Sequence, residues 1–194
     1  MKLITVLGST GSIGRNTLDV VRQKRHEVGV YALVAGRNLK ELARQIAEFR
    51  PALAVVAEEA SIGPLIELLG QAGMTSSTRP ELAWGEPSYM AAAIAPEVDF
   101  VMSAIVGVAG LEATYQALRA RKRVGLANKE TLVAGGCLVM DAAREYGAEL
   151  IPVDSVSEVL AIALEPKSAA TPGATTRIER EAAGALGASR KKPR

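Results

Sequence analysis

The chain has 194 residues, 48% of them apolar, 23% charged and 4% aromatic, with a formal net charge of +2; this suits an α/β protein with one core and the start of a second, and excludes a fibre. Its single cysteine, Cys137, excludes an internal disulfide framework, and its single histidine, His26, excludes a histidine-built metal site, so any metal would be a hard ion held by carboxylates. No apolar run approaches the length of a transmembrane helix, and the N-terminal apolar stretch passes into a glycine turn before it could serve as a signal peptide, which predicts no membrane contact and a cytoplasmic address.

Residues 2–7 form a β-rich apolar run that ends in Gly8-Ser9-Thr10-Gly11-Ser12-Ile13-Gly14. This predicts a buried strand turning on glycines into a helix over 12–24, the shape that receives a dinucleotide diphosphate on free N–H groups. Gly8 is expected to allow the tight turn, Gly11 to let the backbone approach the phosphates, and Gly14 to let the helix lie close on the sheet. An ordinary glycine turn between two core elements is the alternative.

Further apolar segments at 28–35, 53–57, 99–105, 123–128 and 148–153 alternate with helical patterns near 39–49, 61–70, 111–121 and 130–146. Thr75 to Trp84 stays ambiguous. The alternation predicts a Rossmann-like, doubly wound, mostly parallel sheet with helices on both faces, and right-handed crossovers bring all strand carboxyl ends to one rim. The polar clusters follow predicted strands: Gly8–Gly14, Gly36-Arg37-Asn38, Asn128-Lys129-Glu130 and Asp154-Ser155. Ligands of open α/β sheets bind at that rim.

At the end of the second strand an NAD-binding protein places an acid for the ribose 2′-hydroxyl, whereas this chain has Gly36-Arg37-Asn38. A planar cation there suits a 2′-phosphate and favours NADP(H), the alternative being a solvated arginine at a helix start. Asn128 suits a helix cap, Lys129 can lean toward an anionic ligand, and Glu130 favours the helix dipole, so this cluster is as much structural as functional. Asp154 and Ser155 put a carboxylate and a hydroxyl where a hard divalent ion and a polyol would meet, with Glu158 as a possible companion. Cys137 lies in an apolar helical pattern with no histidine base and is expected to be a buried thiol. No tyrosine is followed four residues later by a lysine, which removes the pair a short-chain dehydrogenase needs.

Residues 166–194 carry seven Lys or Arg against two Glu, leaving the first 165 residues at −3. With no apolar period and no aromatic interleaving, this stretch is expected to be a solvated, disordered tail with no nucleic-acid partner.

Taken in order, Leu7–Gly14, Ala35-Gly36-Arg37-Asn38, the run from Met102 to Leu111, Leu126–Val133 and Pro152-Val153-Asp154-Ser155 resemble the 1-deoxy-D-xylulose 5-phosphate reductoisomerase family. That resemblance implies an NADPH-dependent rearrangement and reduction of a ketose phosphate to 2-C-methyl-D-erythritol 4-phosphate, within non-mevalonate isoprenoid biosynthesis, by a homodimer. It implies that Thr10, Gly11, Ser12, Ile13, Gly36, Arg37 and Asn38 hold NADPH, Arg37 standing where a lysine is also accepted. Asn128 and Glu130 would line the cofactor, Lys129 and Ser155 would contact the sugar phosphate, and Asp154 would bind Mg²⁺ or Mn²⁺. The family continues with a Glu-His pair, its glutamate a second metal ligand, where this chain has Val156-Ser157, which weakens the metal site. The expected organisation is an NADPH-binding domain over 1–147, the start of a catalytic domain over 148–165 and an unmatched tail over 166–194, whose composition is what a reading-frame shift in a GC-rich gene would give. A chain of this kind binds NADPH with turnover in doubt, and the alternative function is a non-catalytic NADP(H)-binding module or sensor.

Overall fold

The computed structural model describes residues 1–105, 110–127 and 129–152. It opens with β1 (Lys2–Leu7), whose last four residues are buried. Ile4 and Val6 face one helical layer and Leu7 the other, which is why the strand reads as a continuous apolar run. Its polar member, Thr5, is buried because its hydroxyl donates to the Ala92 carbonyl at 2.7 Å.

The chain continues through α1 (Ser12–Gln23), β2 (Val28–Ala35), α2 (Leu39–Phe49) and β3 (Leu53–Val56), then a short 3-10 turn into α3 (Ile62–Gln71). After β4 (Glu81–Trp84) and α4 (Gly85–Ile94) come β5 (Phe100–Ser103), α5 (Leu111–Arg119), β6 (Arg123–Leu126), α6 (Lys129–Tyr146) and β7 (Leu150–Pro152). The strands form one sheet in the order β4-β3-β2-β1-β5-β6-β7. Every pairing is parallel. This is the doubly wound α/β architecture expected from the sequence. The chain winds outward from β1 to β4, then returns beside β1 to lay down β5, so the order reverses between β1 and β5. A crevice opens at the carboxyl ends of strands where such a reversal occurs.

Two cores flank the sheet. Leu18, Val21, Leu42, Ile46, Leu65 and Leu69 bring α1, α2 and α3 onto one face, and alanine-rich surfaces of α4, α5 and α6, including Ala92, Ala117 and Ala142, cover the other. The pair β4–α4 is the part the sequence pattern leaves unplaced. α4 consists of Gly-Glu-Pro-Ser-Tyr-Met-Ala-Ala-Ala-Ile, in which a first-turn proline and three consecutive alanines carry little apolar contrast. It nevertheless buries Tyr89, Ala92 and Ala93, because alanine lets a helix lie close on a sheet. β7 falls within the segment expected to begin a second domain, and it pairs with β6 as an edge of this sheet.

Cys137 is exposed, contrary to the expectation of a buried thiol. α6 buries Val139, Ala142 and Ala143, and Cys137 with Leu138, 49% exposed, falls on the opposite face. The helix forms where the apolar period places it, rotated so that Cys137 faces outward. No helix among the described residues is long and apolar enough to cross a membrane. The tail over 166–194 and the segment 153–165 lie outside the described residues.

Candidate functional site: the rim between β1, β2 and β5

The loop after β1 is built from backbone constraints. Gly8 has φ +85°, and a Cβ there would stand 2.5 Å from the Ala104 carbonyl oxygen and 2.7 Å from its carbon, so both conformation and space demand glycine. At Gly14 a Cβ would overlap the Gly8 oxygen and the Ser9 backbone. The close approach that requires glycine at this position is therefore of α1 onto its own loop, rather than onto the sheet. Gly11 differs: it is exposed, and a Cβ there would meet only the Gly8 oxygen at 3.4 Å, so nothing within the described chain demands glycine.

Not all of the loop's amides are open to a ligand. Those of Gly8 and Ser9 both donate to the Val34 carbonyl at 2.9 Å, and that of Gly11 donates to Gly8 at 3.1 Å. The amides of Ser12, Ile13 and Gly14 lie ahead of the first helical bond, from Arg15 N to Gly11 O at 2.9 Å. They form the positive end of α1, whose cap residue, Gly11, supplies no side chain to occupy them. Thr10 is half-buried, and its N–H has no partner among the described residues. Ile13 packs its side chain against the core beneath.

The loop and the turn after β2 are one unit, because Val34 holds Gly8 and Ser9 while α2 reaches back to the loop. Gln45 on α2, completely buried, donates Nε2 to the Ser9 carbonyl at 2.9 Å. Gly36, Arg37 and Asn38 are exposed at the start of α2. The Arg37 guanidinium has no ion pair or hydrogen bond among the described residues, leaving it available to an anion. Asn38 caps α2, its Oδ1 accepting from Glu41 N at 3.2 Å. Glu41 accepts from Arg44 Nη2 at 2.8 Å and from Gln45 Nε2 at 3.1 Å. The Arg44 guanidinium holds its carboxyl below the ordinary carboxylate range against the effect of burial, with Gln45 and Arg15 adding to the same direction.

The other wall of the crevice is the end of β5. Ala104 N donates to Leu7 O at 2.8 Å, and Ala127 N to Ser103 O at 3.1 Å, so the carboxyl ends of β1, β5 and β6 are laced side by side. Beneath them, Thr114 Oγ1 donates to Gly110 O at 2.7 Å, and its one proton being so used, Ser103 Oγ is the donor in the 2.7 Å contact between the two hydroxyls. Lys129 and Glu130 open α6 directly after β6, on the same rim. Asn128, Asp154, Ser155 and Val156 lie outside the described residues. Among the described residues no group of three or more His, Cys, Asp or Glu could hold a metal ion.

Sequence reasoning missed Gln45 and the Ser103–Thr114 pair. The signal for Gln45 was present: it interrupts the stripe Leu42, Ala43, Ile46 on a face that the apolar period marks as buried.

Residues 4–136 match the model of the family described as 1-deoxy-D-xylulose 5-phosphate reductoisomerase. The chain belongs to that family. It is 63% identical over 155 residues to the 1-deoxy-D-xylulose 5-phosphate reductoisomerase of Solibacter usitatus, covering 80% of this chain and 39% of that protein. Against the enzyme of the same name from Cupriavidus pinatubonensis it is 49% identical over 155 residues, covering 80% and 38%. Among solved structures it is similar to the Zymomonas mobilis reductoisomerase in complex with NADPH, with TM-score 0.72, 42% identity, and coverage of 79% of this chain and 39% of that one. A second reductoisomerase structure, in complex with magnesium, matches with TM-score 0.73 and 34% identity over 80% of this chain and 38% of that one. The chain thus spans about two-fifths of the length of the relatives it matches.

Proposed function

We propose that this chain is the NADPH-binding part of a 1-deoxy-D-xylulose 5-phosphate reductoisomerase. The observation that carries the reading is the pairing of two open anion sites on one rim. The N-terminus of α1 presents the amides of Ser12, Ile13 and Gly14 at the strand-order reversal, and the uncommitted Arg37 guanidinium stands at the end of the adjoining strand. A diphosphate suits the first and a ribose 2′-phosphate the second, because backbone N–H groups and a guanidinium fork both favour phosphate oxygens. Gly11 adds to this: glycine stands where the chain itself has room for a Cβ, which is what close passage of a ligand would require.

In this reading Thr10, Gly11, Ser12 and Ile13 bind the diphosphate, Gly36, Arg37 and Asn38 the adenosine ribose phosphate, and Asn128 and Glu130 the remainder of the cofactor. NADPH supplies hydride when bound. The chain's own residues orient it across the β1–β5 crevice. Lys129 and Ser155 are assigned to the sugar phosphate and Asp154 to Mg²⁺ or Mn²⁺; Asp154 and Ser155 lie outside the described residues. Residues 1–147 act as the nucleotide-binding unit in a cytoplasmic, homodimeric enzyme.

Titration with NADPH and NADH tests the reading. Wild-type chain is expected to prefer NADPH, and Arg37→Ala to lose that preference by about tenfold; equal affinities in the wild type would overturn it. Turnover of 1-deoxy-D-xylulose 5-phosphate with NADPH and Mn²⁺ then separates an enzyme from a binding module.

A further inference from the structure

Gln45 is an unusual residue for its position. It is completely buried on the inner face of α2 between Leu42 and Ile46, and a leucine would fill such a place without any polar atom to satisfy. Instead the buried amide leaves its own Oε1 without a partner, and the neighbouring Ser9 Oγ is buried and unpartnered too. Unsatisfied buried polar atoms are destabilising, so stability alone does not account for glutamine here.

The amide's orientation is not arbitrary. Nε2 lies 2.9 Å from the Ser9 carbonyl oxygen and 3.1 Å from Glu41 Oε1, and both of those atoms can only accept. Exchanging the amide nitrogen and oxygen would set an acceptor against two acceptors, so the –NH₂ group must face them. Glu41 is in turn anchored by Arg44. Ser9 O is therefore held toward α2 by a side chain that is itself fixed.

A carbonyl and the following N–H share one rigid plane and point in opposite directions in a trans peptide, and every peptide bond described here is trans. Fixing Ser9 C=O toward α2 consequently fixes Thr10 N–H away from it. That N–H has no partner among the described residues, and only the Gly11 amide, which is committed to Gly8 O, separates it in sequence from the open amides at the start of α1.

We propose that Gln45 is a positioning residue for nucleotide binding: by holding the Ser9 carbonyl it aims the Thr10 N–H of the same peptide plane at the nucleotide diphosphate. The inference rests on the NADPH reading above and adds a residue that touches no ligand. It also makes a distinction by ligand type, since the effect must pass through the diphosphate and not through the ribose phosphate at Arg37.

The test is binding of NADPH, NADH and adenosine 2′-monophosphate to the full 194-residue chain and to Gln45→Met, which keeps the side-chain length and removes the donor. NADPH and NADH should weaken together, by about five- to tenfold, while adenosine 2′-monophosphate, which has no diphosphate, binds as to wild type. Unchanged NADPH affinity would overturn the proposal, as would an equal loss for all three ligands, the mark of general damage to α2. Should Gln45→Met not fold, Gln45→Asn, one methylene short of Ser9, replaces it. A readout on the wild-type chain needs no variant: the Thr10 amide resonance should shift with NADPH and with ADP but not with adenosine 2′-monophosphate, and an amide indifferent to the diphosphate ligands would overturn the proposal. Failure of the underlying NADPH reading looks different, because wild-type chain would then show no preference for NADPH over NADH.

Discussion

Gly8 sits directly beneath Ala104: a single added carbon on Gly8 would stand 2.5 Å from the Ala104 carbonyl oxygen, and Ala104 N is itself tied to Leu7 O at 2.8 Å. The two walls of the crevice are thus set by backbone against backbone, with no side chain able to give way. Gly8→Ala combines a positive φ with this overlap and is expected to cost about 3 kcal/mol or more, measured by urea unfolding. Gly11→Ala, where the nearest atom is 3.4 Å away, is expected to leave stability within about 1 kcal/mol and to weaken NADPH. A Gly11→Ala chain that binds NADPH as tightly as wild type would remove the ligand-based reason for that glycine.

Asn38 has a structural duty alongside the cofactor role proposed for it. Loss of the hydrogen bond that its Oδ1 accepts from Glu41 N in Asn38→Ala should cost about 1 kcal/mol in thermal or urea unfolding. Asn38→Asp preserves the cap and should keep wild-type stability, yet it puts a carboxylate beside Arg37 and should weaken NADPH more than NADH. Equal weakening of the two would place the 2′-phosphate elsewhere.

Glu48 gathers three arginines, accepting from Arg22 Nη2 at 3.0 Å, Arg25 Nη2 at 2.9 Å and Arg44 Nη1 at 3.2 Å. The Arg22 hydrogen bond, opposed by burial and aided by the charges of Arg22, Arg44 and Arg25, holds this carboxyl below its ordinary 4.5. A depressed folded-state pKa gives stability that is complete above the unfolded value and is lost as pH falls through the folded one. Glu48→Gln is therefore expected to be less stable than wild type by about 1 kcal/mol at pH 7. The gap should close as pH drops below 4.5, toward and through the depressed value. A gap that stays constant down to acid unfolding would exclude the carboxylate as its source.

Thr114 links β5 to the start of α5 through one buried hydroxyl, accepting from Ser103 and donating to Gly110. Thr114→Val keeps the shape and strands both partners, at an expected cost of about 2 kcal/mol, whereas Thr114→Ser should recover most of it. A valine variant more stable than the serine variant would show that the methyl group, rather than the hydroxyl, matters at this place.

Much of this was legible in the linear chain because the relevant constraints are local. β1 and β2 send buried residues into both helical layers and announce themselves as nearly continuous apolar runs, and Gly8 and Gly14 mark backbone positions that no other residue can occupy. α4 was not legible, since alanine is compatible with burial or exposure and Pro87 argues against a helix that in fact begins just before it. The phase of α6 was equally hidden: Cys137 and Leu138 look as apolar as Val139, and only packing decides which faces inward. At the rim, the glycines and Arg37 could be picked by type and spacing. The task of Gln45 depends on a carbonyl 36 positions earlier, which no local pattern encodes.

The partners of β1 also have a consequence for synthesis. Ile4 pairs with Val30 on one side and with Phe100 on the other, so the central strand waits for most of the sheet to be translated before its second neighbour exists. Parallel pairings this distant in the chain form slowly and late. A nascent polypeptide emerging from the ribosome will carry the glycine loop with only one wall beside it, and the crevice between β1 and β5 takes shape only after β5 has docked.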